Sequence, residues 1–283
     1  MISVIIPAHN EERVIGRNLR RILGDFSPGE IEVIVVCNGC RDGTAQIARH
    51  AGSSVRVIET GVPSKARAWN LGDREARSFP RFYVDADVSL SAEAIRQVAA
   101  LLDAGDALAA APRLEVDCSG ASWPVRAFYR VWVQLPYFHS GMIGSGVFAL
   151  SREGRARFGE FPDLIADDDF VRLHFQPCER RTVKSCSFVI FPPSRLSTLI
   201  GVKTRSRLGR MELALRFPER ACMDQKSYLA TMLRIVRYPS LWLCVPMFLY
   251  VVAVTWFRAS RRLRRRDFAH WDRDDSSRGR SPI

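Results

Sequence analysis

Along the first half of the chain, apolar residues fall into short, largely continuous runs, separated by stretches in which they recur every three or four positions. Ser3 to Pro7, Glu32 to Cys37, Val55 to Glu59, Phe82 to Asp85 and Ala107 to Pro112 are runs of the first kind. Continuous apolar character over so few residues predicts strands buried on both faces of a parallel sheet. Glu11 to Leu23, Thr44 to Ala51, Lys65 to Arg77 and Ala92 to Leu102 carry helical spacing. The alternation predicts a mostly parallel, doubly wound α/β sheet.

In such sheets ligands gather outside the carboxyl ends of the strands, so the polar residues just after each run are the first candidates for chemistry. They are His9-Asn10-Glu11-Glu12, then Asn38-Gly39 with Asp42-Gly43-Thr44, then Asp85-Ala86-Asp87. An extended Asp-x-Asp presents both acids to one side, and two hard oxygen ligands suit Mg²⁺ or Mn²⁺ carrying a nucleoside diphosphate group. Plain structural roles compete with these. Asn10 and Asp42 make good helix caps, and Asn38-Gly39 is ordinary turn chemistry.

Downstream, Trp123, Phe128, Tyr129, Trp132, Tyr137, Phe138 and His139 form an aromatic-rich stretch, with helical spacing at 128, 129 and 132 that reads as core. Gly144-Ser145-Gly146 follows, and its glycines permit close backbone approach to a ligand or simply a flexible loop. Asp167-Asp168-Asp169 then precedes a helix-like run. These acids suit a helix N-terminus electrostatically, or supply a carboxylate base within reach of a proton. Acids crowded in this way raise one another's pKa.

Composition narrows the classes. The 283 residues are 47% hydrophobic, which excludes wholesale disorder, and the net charge of +12 fits an anionic partner. From Arg258 to Ile283 there are nine Arg and four Asp. Charge concentrated beside an apolar segment points to a membrane surface and away from a nucleic-acid groove. Seven cysteines show no framework spacing, and Cys37-Asn38-Gly39-Cys40 has no second pair to complete a zinc site. Both its thiols read as ordinary loop residues, reduced in a cytosolic setting. The N-terminus shows no secretory signal.

Several motifs recur in one order: Val4-Ile5-Ile6-Pro7-Ala8-His9-Asn10-Glu11-Glu12, Asn38-Gly39-Cys40-Arg41-Asp42-Gly43-Thr44, Lys65-Ala66-Arg67-Ala68-Trp69-Asn70-Leu71-Gly72, Asp85-Ala86-Asp87, Gly144-Ser145-Gly146 and Asp167-Asp168. Together, over about Met1 to Glu212, they resemble family 2 glycosyltransferases, inverting enzymes with the GT-A nucleotide-sugar fold. The resemblance implies that Pro7, Ala8, Asn10 and Glu12 hold the base and ribose, with Asn38 and Asp42 as the second wall of the nucleoside pocket. It implies that Lys65 lies near the diphosphate, that Asp85 faces the ribose or sugar, and that Asp87 ligates Mn²⁺ or Mg²⁺. Asp168 takes the place of the general base, with the register open by one residue towards Asp167 or Asp169. Lys203 to Arg210 occupies the place where processive members carry Gln-x-x-Arg-Trp, a motif missing here. Arg207 or Arg205 then serves the leaving group as a guanidinium suited to phosphate, and single-sugar transfer is favoured over processive synthesis. Uridine as the donor base rests on family habit alone.

The organisation expected is a catalytic domain at 1–216, a basic amphipathic linker at 217–237, a membrane-associated segment at 238–257 and a basic disordered tail at 258–283. Tyr238 to Phe257 is uncharged over twenty residues, just enough to span a bilayer as one helix. Pro239 and Pro246 disturb its first half, and arginines flank both ends. A single crossing with those arginines inside would strand the catalytic domain away from cytosolic nucleotide sugars. The segment is therefore read as re-entrant or interfacial, with a true span and a buried helix as alternatives. The expected protein is a transferase at the cell membrane, its catalytic domain on the cytoplasmic side. It moves a sugar from a nucleotide-sugar donor to a glycan or lipid-linked acceptor, with no role for nucleic acid. The competing reading is a non-catalytic nucleotide-sugar-binding protein at the membrane surface.

Overall fold

The computed structural model describes residues 1–135, 138, 141, 144–221 and 238–265. They form two compact units: one of Met1–Glu115, Ser140–Asp163 and His174–Ile190, the other of Val116–His139, Leu164–Leu173 and Phe191–Ile283.

The first unit is built on β1 (Ile2–Ala8), β2 (Ile31–Asn38), β3 (Val55–Thr60), β4 (Arg81–Val84), β5 (Ser89–Leu90), β6 (Ala109–Val116), β7 (Val147–Leu150) and β8 (Arg180–Ile190). Its helices are α1 (Ile15–Leu23), α2 (Thr44–Arg49), α3 (Lys65–Glu75), α4 (Ala92–Asp103) and α6 (Arg152–Arg155); α5 (Trp123–Trp132), α7 (Asp167–Arg172), α8 (Leu196–Arg216), α9 (Pro218–Ala221) and α10 (Val245–Arg264) belong to the second unit. The strand order is β3-β2-β1-β4-β7-β6-β8-β5. β3, β2, β1 and β4 run parallel, with Ala8 opposite Cys37 and Ile5 opposite Tyr83. That register brings the carboxyl ends of β1, β2 and β4 to one edge.

The expected mostly parallel sheet is in fact mixed. β7 runs antiparallel between β4 and β6, and β8 is antiparallel to β5. β6 confirms the fifth apolar run, but β7 is only four residues long, and the basic residues of β8 mask its alternation. Neither stands out as a strand from periodicity.

Ser64 and Ser91 cap α3 and α4, each hydroxyl accepting the backbone N–H three residues on. The long helix expected from Glu11 begins only at Ile15. Asn10 has φ +53° and the residues after it are tied to a neighbouring loop, so the helical spacing there describes a loop.

Between α3 and the sheet lies a buried aromatic box. Trp69 meets Tyr83 edge-on at 5.3 Å, and Tyr83 stacks on Phe148 at 4.8 Å, with Phe161 against both Trp69 and Tyr83. Gly72, one turn after Trp69, sits so close to β1 that a Cβ there would lie 2.3 Å from Ile5 Cγ2.

The second unit packs α5, α8 and α10 around Phe128, Val131, Leu199, Phe248 and Val251. The uncharged stretch from Tyr238 is not one helix. A 3-10 turn spans Pro239–Leu241, and α10 starts at Val245 with Pro246 in its first turn, where a missing N–H costs nothing. Only Val245 to Phe257 of the twenty uncharged residues are helical in α10, about 20 Å at 1.5 Å per residue. A bilayer core is about 30 Å thick. Among the described residues no helix is long and apolar enough to cross a membrane. The helix instead runs on through Arg264, into the stretch expected as disordered tail, because arginine is a good helix former and favourable at a helix C-terminus. Residues 222–237 of the expected linker and 266–283 of the tail lie outside the described residues.

Beneath the aromatic box, Asp73 pairs with Arg81 and Arg155, each at 2.8 Å, and accepts the Tyr83 hydroxyl. Burial pushes the Asp73 carboxyl up, yet the hydroxyl and the two guanidinium groups prevail and hold it below the usual carboxylate range. Its stabilising contribution is therefore complete above the unfolded value near 4 and is lost as pH falls through the lower folded value. Asp73→Asn is expected to cost about 3–5 kcal/mol, because two buried guanidinium groups lose their counter-charge. Urea midpoints measured against pH should show the wild type losing stability more steeply than Asp73→Asn below pH 4.

Candidate functional site

β4 stops at Val84, and Asp85 to Val88 turn rather than extend, closed by the Val88 N–H donating to the Asp85 carbonyl at 3.3 Å. The expected extended Asp-x-Asp is therefore corrected to a turn that gives the two acids different surroundings. Asp85 is half-buried, Ala86 is buried and Asp87 is exposed. The side-chain amide of Asn18, on α1, donates to the Ala86 carbonyl at 2.6 Å and fixes the middle of the turn.

Two elements converge on Asp85. Lys65 opens α3 and holds its Nζ 2.8 Å from the Asp85 carboxylate. From the other side, the Asp85 N–H donates to the Gly146 carbonyl at 2.8 Å. Gly146 has φ +103°, and a Cβ there would lie 2.9 Å from Val88 Cγ1 and 3.2 Å from Asp85 Oδ2. The close backbone approach expected of Gly144-Ser145-Gly146 is thus to the acid itself.

The loops after β1 and β2 are knitted together. Asn10 Oδ1 accepts the Arg41 N–H at 2.7 Å, and Glu12 accepts the Gly43 N–H at 3.0 Å. In return, the Glu12 N–H donates to Asp42 at 3.2 Å and the Glu11 N–H to Thr44 Oγ1 at 2.7 Å. Asp42 also accepts from the Thr44 N–H and hydroxyl, the local role of a helix-start residue. Burial pushes the Asp42 carboxyl up, but the Thr44 and Glu12 donors outweigh it and hold it low. The side chains of Asn10, Glu12 and Asp42 therefore shape this wall as loop ties, while Pro7 and Ala8 end β1 alongside them.

Asn38 differs. It is buried, and its carbonyl accepts from His9 Nδ1 at 2.5 Å; a carbonyl only accepts, so Nδ1 carries the proton. Its side-chain Oδ1 is buried without a hydrogen-bond partner among the described residues. An orphaned buried acceptor is costly and requires an explanation.

The neighbouring thiols are less ordinary than their spacing suggests. Cys40 Sγ lies 3.2 Å from the Ala8 carbonyl and 3.4 Å from the Asn10 N–H. A hydrogen bond between the Cys37 and Cys40 thiols, aided by the Asn10 N–H against opposing burial, brings Cys40 down to about 7. The same bond, with burial, pushes the Cys37 thiol far up.

In the second unit, Asp167, Asp168 and Asp169 make the first turn of α7. Asp169 is held by Arg172 at 2.9 Å, and Asp168 Oδ1 accepts the Asp169 N–H at 2.8 Å. Asp167 is buried and Asp168 half-buried. α8 sets this turn in place. Its Gly209 lies where a Cβ would come within 2.8 Å of Ile165 and 3.0 Å of the Ala166 nitrogen, and its buried Glu212 accepts the Ile165 N–H at 3.4 Å. Arg207 is half-buried on the same helix. Lys203, the first residue of the basic stretch noted in the sequence, sets its ammonium 3.8 Å above the Trp132 ring and 5.0 Å from that of Tyr129, a contact that the sequence reading did not anticipate.

Among the described residues, no group of three or more His, Cys, Asp or Glu is placed to hold a metal by itself. Asp87, with Asp85 beside it, offers the one or two carboxylates that Mg²⁺ uses when substrate phosphates complete its shell.

The profile of the family described as Glycosyl transferase family 2 matches residues 3–153. A 4,4'-diaponeurosporenoate glycosyltransferase of Staphylococcus aureus (strain USA300) is 35% identical over 92 residues, which is 31% of this chain and 24% of that protein. The match thus spans about a quarter of that relative's length. Among solved structures, mannosyltransferase PcManGT from Pyrobaculum calidifontis in complex with GDP-Man and Mn²⁺ aligns over 93% of this chain and 78% of its own, with TM-score 0.61 and 21% identity. Glucosyl-3-phosphoglycerate synthase from Mycobacterium tuberculosis, in complex with Mn²⁺, UDP and glucosyl-3-phosphoglycerate, aligns over 80% and 81%, with TM-score 0.56 and 19% identity. TarS 1–349 of S. aureus with UDP-GlcNAc aligns over 98% and 89%, with TM-score 0.55 and 17% identity.

Carboxamidomethylation of Cys40, followed by peptide mass spectrometry across pH, is expected to reach half its maximal rate near pH 7. In Cys37→Ala the midpoint should rise towards the ordinary thiol value of about 8.5. An unmoved midpoint would show that Cys37 is not the donor.

Proposed function

The chain belongs to glycosyl transferase family 2, and from that premise we propose that it transfers one sugar, with inversion, from a UDP-sugar to a hydroxyl of a lipid-linked or cell-envelope glycan. Its α/β fold with a mixed sheet is GT-A-like, as in the nucleotide-sugar transferases it aligns with. The observation that carries the reading is the Lys65–Asp85 pair at the carboxyl end of β4, pressed by Gly146 and flanked by the exposed Asp87. A sugar nucleotide combines an anionic diphosphate with neutral hydroxyls, and this turn offers a cation and acceptors side by side. Lys65 faces the diphosphate, and Asp85 accepts from a ribose or sugar hydroxyl. The orphaned Asn38 Oδ1 suits the N–H of a base such as uracil, which supports UDP.

Asp87 would hold Mn²⁺ or Mg²⁺, and the ion would supply positive charge to the leaving diphosphate. Asp168, half-buried in the first turn of α7 and in the place of the general base by resemblance to the family, accepts the acceptor hydroxyl's proton. Asp167, buried beside it, supports that acid, and Arg207 serves the departing diphosphate.

Asp87→Ala is expected to lower kcat by about 10²–10³, and Asp168→Asn by about 10²–10⁴. Only Asp87→Ala should abolish the Mn²⁺-dependent thermal shift produced by a UDP-sugar. Near-normal turnover in Asp168→Asn would remove the base assignment, and nucleotide binding without any sugar release by the unaltered chain would leave the non-catalytic reading.

A further inference from the structure

α10 carries apolar residues on two opposite faces. Phe248, Val251, Thr255 and Ala259 recur at helical spacing and are buried, with Phe248 stacked on Phe128 of α5 at 5.4 Å. On the far side, Leu249, Tyr250, Trp256 and Phe257 are 46%, 51%, 54% and 62% exposed. At 100° per residue these four, with Pro246 and Ala253, share the side opposite the buried stripe. The turn before the helix adds exposed Trp242 and Leu243. An isolated exposed aromatic means little, but a contiguous face of them marks an interaction site.

The charge beside this face selects its partner. Arg258, Arg261, Arg262, Arg264 and Arg265 follow directly, and between Tyr238 and Arg265 there is no Asp or Glu. Arg261 and Arg264 continue the exposed side of the helix beyond Phe257. Aromatic residues favour the headgroup region of a bilayer, and arginines beside them favour anionic lipid. A helix apolar on its outer face, basic at one end and packed on the protein by its inner face lies in a membrane surface rather than through it.

We propose that the outer face of α10 docks the protein on an anionic phospholipid surface. Trp242, Leu249, Tyr250, Trp256 and Phe257 enter the headgroup boundary, while Arg261 and Arg264 meet the lipid charge. The proposal is independent of the transfer chemistry above, since none of these residues takes part in it.

The test is co-sedimentation of the full chain with vesicles of phosphatidylcholine, with and without 30% phosphatidylglycerol (about one lipid in three, enough to reach the surface potentials of anionic leaflets). Binding should require phosphatidylglycerol and weaken with salt. Trp256→Ser with Phe257→Ser should weaken it at least about tenfold. Arg261→Glu with Arg264→Glu should remove the preference for anionic lipid, at roughly fivefold or more per arginine. Alkaline carbonate should release the bound protein. Vesicle binding unchanged by Trp256→Ser with Phe257→Ser would overturn the proposal, as would retention through carbonate. So would absence of vesicle binding together with a concentration-dependent dimer that this double substitution disperses. Unchanged donor-induced thermal shifts in the double variants would show that folding is intact.

Discussion

Everything at the carboxyl edge of β4 depends on how closely α3 lies against β1 and β2. Gly72 makes that approach possible, because even one methyl there would collide with Ile5, a fully buried, β-branched residue with no room to turn. One turn earlier, Trp69 fills the space among Tyr83, Phe148 and Phe161, pairs worth about 0.5–1.5 kcal/mol each beyond their burial. Asn70 both donates to the Phe161 carbonyl and accepts its N–H, so the helix cannot slide along its own axis. Lys65, at the first position of this helix, inherits its place opposite Asp85 from these contacts.

The acids of the first unit divide by what surrounds them. Asp73 is almost enclosed, with two guanidinium groups and a phenol taking its acceptor sites, and nothing is left for a ligand. Asp42 is similarly committed to Thr44 and Glu12. Asp85 is half-buried and Asp87 exposed on the turn after β4. The same residue type is thus enclosed as a fastener at Asp73 and left facing water at Asp87, according to where the fold places it.

Periodicity made the parallel half of the sheet legible, because β1 and β2 are nearly continuous apolar runs with polar residues directly at their ends. It also placed the polar clusters that follow β1, β2 and β4 at one edge, which follows from strand direction alone. The antiparallel half was not legible, since β7 is too short and β8 too charged to show a period. The loop ties escaped for a different reason. Asn10, Glu12 and Asp42 bond across about thirty positions, and no local pattern distinguishes a side chain that reaches a ligand from one that reaches a neighbouring loop. A true span, one alternative for the twenty uncharged residues from Tyr238, required the prolines to be mere disturbances within a helix. Placed at the start of α10, Pro246 defines where a shorter helix begins.

The acid turn of the second unit shows how a register left open by the sequence is narrowed by packing. Three adjacent aspartates are equivalent in a linear reading, yet α7 begins at Asp167 and carries Arg172 one turn beyond Asp169, so the third acid is neutralised within its own helix. Asp167 is buried and Asp168 half-buried, so Asp168 is the more solvent-exposed acid of the pair. Its height on the helix is fixed from behind. Gly209 lets α8 touch Ile165 and Ala166, and Glu212 anchors the Ile165 N–H just before the turn. A side chain at 209 would push on the backbone two residues before Asp168 without touching the acid. The position of the proposed base therefore rests on a glycine some forty residues away, much as Lys65 rests on Gly72.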